Sequence, residues 1–208
     1  VHVDGSVDPI RDKEIIDAEL QLKDLETVES RIQKVQKQAQ TGGDKQAKQI
    51  YEVLVKYKEA LEQGLSARTV TFDNKDEEKI ARELFLLTAK PVLYVCNVDE
   101  ASAATGNQYV ERVREVAQKE GAEVLVIAAK IESEIAEFET YEERQMFLAE
   151  IGLEESGVAR LIKSAYALLK LKTYFTAGAP EVRAWTFRDG WKAPQCAGVI
   201  HTDFEKGF

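Results

Sequence analysis

Residues 89–100 read AKPVLYVCNVDE. After Pro91, the β-favouring residues Val92 to Cys96 run without a charge into Asn97-Val98-Asp99-Glu100. A short apolar run of this kind predicts a buried strand of a parallel sheet. Such sheets bind ligands beyond the carboxyl ends of their strands, so an amide and a carboxylate at that edge are candidate recognition groups.

Downstream, Tyr109, Val110, Val113 and Val116 recur at helical spacing and Gly121 supplies a stop. Residues 124–129, VLVIAA, then predict a second buried strand. Strand, helix and strand in succession make a βαβ unit, with parallel pairing and a right-handed crossover. Thr140 with Glu143 predicts a capping box ahead of Met146-Phe147-Leu148. Val158, Leu161, Ile162, Ala165, Leu168 and Leu169 mark one side of a longer helix. From Leu171 the texture turns to β. LKTYFTAG (171–178) and EVRAWTF (181–187) read as strands, Asp189-Gly190 as a turn, and Gly198-Val199-Ile200 as a further strand.

Upstream, residues 1–13 hold Gly, Pro and three Asp and read as a loop leading into a helix. Leu25, Val28, Ile32, Val35 and Ala39 alternate steps of three and four, and Ala47, Ile50, Leu54, Tyr57 and Leu61 resume after Thr41-Gly42-Gly43-Asp44. Two heptad-like helices joined by a Gly-Gly turn predict an antiparallel hairpin, each arm about 25 residues and roughly 38 Å long. The opposite faces are crowded with Lys, Gln and Glu. A solvated arm is one reading and an arm that touches a partner is the other. Asn74 or Asp76 would cap a further helix carrying Ile80, Leu84 and Leu87.

With 208 residues, 44% of them hydrophobic, the chain has material for one large domain or two small ones. A net charge of −9 argues against a uniformly basic surface and leaves a local basic patch open. No apolar run approaches the roughly 20 residues a membrane-spanning helix needs, and Val1-His2-Val3-Asp4 lacks a secretory start. Cys96, inside an apolar run, reads as a reduced buried thiol, and two His with two Cys make no zinc cluster. A reducing, cytoplasmic location follows as an expectation.

The chemistry gathers at the strand ends. The Asn97 amide offers a donor and an acceptor, and the Glu100 carboxylate accepts from exocyclic N–H groups, so the pair can address one edge of a purine. Asn-x-x-Glu is common by chance; its place after the first βα strand gives it weight. The second strand ends in Ala128-Ala129-Lys130, whose small side chains let backbone N–H groups approach a ring. P-loop NTPases divide base recognition between two such strand ends. Most GTPases carry Asn-Lys-x-Asp at the first, the Asp pairing with guanine N1–H and N2. Here Val98 stands for the Lys and Glu100 for the Asp, which weakens guanine geometry and leaves room for adenine.

HVDGSVDPIRD (2–12), NVDE (97–100), AAKIESEIAEF (128–138) and above all YFTAGAPEVRAWTFRDGWKAPQCAGVIHTDFEKGF (174–208) resemble the YchF family, the Obg-like ATPases. The resemblance implies an α/β fold: a partial P-loop NTPase (G-domain) parallel sheet, an inserted antiparallel helical coiled-coil hairpin and a truncated β-grasp TGS domain. The G-domain part would be 1–13 with 88–170, the insertion 14–87 and the TGS part 171–208. It implies ATP binding in preference to GTP, Mg-dependent hydrolysis in the full-length parent, and association with the ribosome or translation machinery. Neither a membrane nor sequence-specific DNA is expected as a partner. Asn97, Val98 and Glu100 fall on the family's base-recognition motif, and Ala128, Ala129 and Lys130 on its second base-contacting loop. The common Ser-Ala opening of that loop is Ala-Ala here.

No G-x-x-x-x-G-K-[ST] motif occurs. Thr41-Gly42-Gly43-Asp44-Lys45 has no strand before it and is rejected as a phosphate loop. The resemblance places the phosphate-binding elements before Val1, so the chain reads as an internal segment. Alone it is expected to hold no ATP or Mg, to be inactive, and to self-associate through exposed strand edges. His201, Asp203 and Glu205 read as structural or surface groups, not as catalysts. A second reading is a non-catalytic helical arm plus ubiquitin-like module docking on ribosome or RNA. A purely structural coiled coil would leave the βαβ unit and the β-rich tail unexplained.

Overall fold

The computed structural model describes residues 5–41 and 44–208. The start of the predicted N-terminal loop and the Gly42-Gly43 turn lie outside the described residues. The chain divides into two compact units, between Pro91 and Val92.

The first unit is helical. α1 (Pro9–Gln40) begins where Asp8 Oδ1 accepts from the Ile10 and Arg11 amides at 3.2 and 3.4 Å. The helix therefore starts before residue 13, contrary to the sequence expectation. An aspartate cap followed by proline at the first helical position is a start signal, not loop composition. α2 (Lys45–Glu62) is capped by Asp44, which accepts from Gln46 and Ala47 at 2.9 and 3.0 Å. The arms are 32 and 18 residues, not two equal lengths. Their predicted seam closes as a core: Val28, Val53 and Leu54 are fully buried, with Tyr57 and Leu61 beside them and Leu25, Ile32, Val35 and Ile50 packed around. Lys58 reaches Glu29 across the seam at 2.8 Å.

α3 (Lys75–Glu83) takes Asn74 as its cap, with Asp76 inside the first turn. Leu84 ends that helix, and Leu87 lies beyond it, exposed. The chain here is tied back to α1 by Asp24, which is 2% exposed. Its carboxylate accepts from Leu87 N, Thr88 N and Thr88 Oγ, each at 2.7 Å. The Thr88 hydroxyl accepts in turn from Ala67 N at 2.9 Å.

The second unit is α/β. β1 (Leu93–Asn97) and β2 (Glu123–Ile127) pair in parallel, from Leu93 opposite Glu123 to Asn97 opposite Ile127. α4 (Gln108–Glu120) crosses between them, capped by Asn107 and ended by Gly121 at φ +66°. Leu125, Val126 and Ile127 are buried as predicted, whereas Val95 of β1 is 48% exposed. β2 stops at Ile127 because Ala128 is the cap of α5 (Ala129–Glu137). α6 (Tyr141–Glu150) and α7 (Gly157–Leu168) follow. Leu161, Ala165 and Leu168 are half-buried, but Val158, Ile162 and Leu169 stand exposed.

The two expected strands, β3 (Leu171–Ala177) and β4 (Val182–Arg188), pair antiparallel, Leu171 opposite Arg188. α8 (Ala193–Ile200) and α9 (Thr202–Lys206) close the chain. Gly198-Val199-Ile200 is thus helical, not a strand. Pro194 in the first turn and Gln195 Oε1, which accepts from Lys192 N at 3.0 Å, start a helix there. The Tyr174 hydroxyl holds it by donating to Cys196 O at 2.8 Å.

Candidate functional site

Parallel pairing puts the C-terminal ends of β1 and β2 side by side. Val98 N donates to Ile127 O at 2.8 Å, carrying the ladder one residue past β1. Asn97 Oδ1 then accepts from Ala129 N at 3.0 Å and ties the two strand ends together. Its acceptor is thereby engaged, while Nδ2 makes no hydrogen bond among the described residues and the side chain is exposed. The amide stands oriented, with its donor edge free.

Asp99 Oδ1 accepts from Ser102 N at 2.9 Å and turns the chain into a single 3-10 turn, Glu100–Ser102. That turn sets Glu100 on the surface. Glu100 Oε1 forms a direct ion pair with Lys130 Nζ, and Glu134 lies 3.8 Å from the same ammonium. The hydrogen bond that Lys130 donates to Glu100, then the charges of Glu100 and Glu134, raise the Lys130 pKa above the usual lysine value. The pair is exposed on both sides, so breaking it costs little.

The six predicted positions separate by role. Asn97 meets Ala129, and Glu100 meets Lys130. Val98 turns inward and packs on the cluster of Ala103, Ala128, Ile131, Ile135 and Leu148. Ala128 is itself buried, a helix cap whose side chain faces that cluster. The Ala129 amide, expected to face a ring, is taken by Asn97. Cys96 is half-buried and free, and burial pushes its thiol up.

Two bracing residues escaped the sequence reading. Glu132 accepts from Gly157 N at 2.6 Å and Val158 N at 3.1 Å, capping α7 from α5. A Cβ at Gly157 would stand 2.8 Å from Glu132 Oε1 and 3.1 Å from Ile127 Cγ1, so a side chain there would displace the Glu132 cap and crowd Ile127. Arg160 Nη2 donates to Val126 O at 2.8 Å. Only Ser156-Gly157, a helix start, signals this in the sequence. Two open apolar hollows lie elsewhere. One of about 790 Å³ is lined by Ile162, Tyr166, Leu171 and Phe175 among others, and one of about 330 Å³ by Tyr57, Val70 and Phe72 among others.

This α/β arrangement of helices and small sheets is the one found in the YchF and Obg-like ATPases. The chain is homologous to that family over its whole length. It is 56% identical over 209 residues to "Ribosome-binding ATPase YchF" of Bacillus subtilis (strain 168), covering all of this chain and 56% of that protein. Against "Obg-like ATPase 1" of Rattus norvegicus the identity is 43%, with coverage of 100% and 53%. Residues 171–208 match the family model YchF-GTPase_C, described as "Protein of unknown function (DUF933)". The solved "Structure of the Schizosaccharomyces pombe YchF GTPase" superposes with a TM-score of 0.86 at 36% identity, over all of this chain and 56% of that one. The chain spans about half the length of the curated relatives it matches.

Proposed function

We propose that this chain carries the purine-base site and the ribosome-docking parts of a YchF-type nucleotide-binding protein that takes ATP in preference to GTP. One observation carries the reading. The Asn97 amide is fixed by Ala129 with its Nδ2 donor free, beside Glu100, at the ends of two parallel strands. A ring nitrogen can accept from Nδ2, and an exocyclic amine can donate to Glu100 once Lys130 is displaced. Lys130 then stands on the second side. Behind it Ala129 holds the Asn97 amide and buried Ala128 supports the turn, and Val98 sets the floor by packing.

The grouping of residues 1–13 with 88–170 as part of a G domain belongs to the same proposal. So do the coiled-coil reading of 14–87 and the β-grasp TGS reading of 171–208. Cytoplasmic residence follows from a ribosomal partner; among the described residues no helix is long and apolar enough to cross a membrane. The described residues contain no group of three or more His, Cys, Asp or Glu able to hold a metal.

Base contacts without phosphate contacts bind at the millimolar scale, about −4 kcal/mol. Ligand-observed NMR suits that range. Adenosine is expected to show stronger saturation transfer than guanosine with the native chain, and Val98→Lys with Glu100→Asp to move the preference toward guanosine. An unchanged preference in a folded double variant would remove Glu100 from base reading.

A further inference from the structure

We infer that Lys130 is a specificity-determining residue of the strand-end site, its ammonium occupying on Glu100 the place that a base's exocyclic amine would take. The inference rests on the base reading proposed above and adds to it a competitor that the chain itself supplies.

Neither helix stability nor packing accounts for Lys130. It is the second residue of α5, where a cation opposes the partial positive charge of the helix N-terminus. Glu132 supplies the favoured sign in that first turn. The side chain fills no space in a core, being 74% exposed. Instead it crosses to the end of β1 and donates to Glu100, thirty positions away. A second carboxylate, Glu134, lies one turn along α5 at 3.8 Å. The ammonium therefore keeps a partner when another donor takes Glu100.

Glu100 matters because its neighbour has no acceptor left. Asn97 Oδ1 is held by Ala129 N at 3.0 Å, which leaves Asn97 only its Nδ2 donor to offer a base. An exocyclic amine must then donate to Glu100, and Glu100 carries Lys130. A hydrogen bond between two ionised groups is roughly twice as strong as one between neutral groups, so the neutral amine meets a stronger rival. The hydrogen bond to Glu100, then the charges of Glu100 and Glu134, raise the Lys130 pKa, and the ammonium persists throughout the neutral range. Ionic strength, not pH, sets its hold.

Two kinds of purine are told apart in this way. A purine with a 6-amine competes with Lys130 for Glu100, whereas one bare at that carbon does not. Because the ion pair is exposed on both sides, the penalty is graded, at most about fivefold in affinity.

The test titrates the nitrogen-15-labelled 208-residue chain with adenosine and with purine riboside, which lacks the 6-amine. The native chain is compared with Lys130→Met, which removes the charge and keeps the length of the side chain, and with Lys130→Arg, which keeps the pair. Circular dichroism checks each fold. Lys130→Met is expected to tighten adenosine about two- to fivefold and to leave purine riboside unchanged. Lys130→Arg stays at or below the native affinity. Raising salt to about 1 M, where the screening length falls to about 3 Å, should tighten adenosine on the native chain and not on Lys130→Met. Adenosine affinity that is unchanged or weaker in Lys130→Met overturns the inference and leaves the base reading standing. So does equal tightening of both nucleosides, or tightening by Lys130→Arg. Absence of binding by either nucleoside to all three chains removes the base reading and the inference with it.

Discussion

Asn97 and Asp24 are each hydrogen-bonded to backbone distant in sequence, but to different ends. Asn97 takes one amide across two strand ends and leaves its own Nδ2 donor without a partner among the described residues. Asp24 is closed off entirely, its two oxygens accepting from Leu87 N, Thr88 N and the Thr88 hydroxyl. Burial decides how much each contact stabilises. Asp24→Ala leaves three donors without a partner in a buried place, and urea unfolding followed by circular dichroism should show a loss of about 3 kcal/mol or more. Lys130→Gln breaks an ion pair that is exposed on both sides, and should change stability by less than about 1 kcal/mol. A loss below about 1 kcal/mol for Asp24→Ala would mean that this carboxylate does not hold the loop. The strand-end pair was legible because NVDE follows an apolar run directly. Asp24 was not, although it lies four residues before Val28 on the same helical face, because its partners stand more than sixty positions away.

At the scale of elements, caps decided most boundaries. Thr140 Oγ accepts from Glu143 N at 3.2 Å and Glu143 Oε2 accepts from Thr140 N at 3.1 Å, the reciprocal box that the spacing predicted. These bonds hold the Glu143 carboxyl below the usual glutamate range, the Thr140 backbone contact being the largest cause. A lowered folded pKa gives a contribution fully present above the unfolded value and lost as pH falls through the folded one. A carboxyl-detected NMR titration should therefore find Glu143 titrating below the usual glutamate range, and Thr140→Ala should return it toward that range. Titration of Glu143 within the usual glutamate range in the native chain would contradict the box. Where caps were overlooked, the reading slipped. Asp8-Pro9 looked like a loop and is the start of α1. Gly198-Val199-Ile200 looked like a strand, since three apolar residues carry no period of their own; Pro194 and Gln195 upstream determine the helix.

Across the whole molecule, periodicity revealed both units and composition concealed one property. The seam from Leu25 to Leu61 gave the helical hairpin, and the βαβ spacing gave the parallel pair and its open end. Net charge summed over 208 residues hid a local excess of cations, five Lys or Arg against Asp44 alone across residues 31–49. The exposed faces of Val95, Val158, Ile162 and Leu169 were invisible for a related reason, because an apolar period shows which side a helix or strand would bury and not whether anything covers it. The proposed purine grip lies at the ends of β1 and β2. Titration of the nitrogen-15-labelled chain with adenosine and with guanosine, followed through its backbone amides, tests it most directly. Saturable shifts confined to residues 97–100 and 128–130, larger for adenosine, are the predicted result. Amides there that stay still with both nucleosides, or that respond more to guanosine, would contradict it.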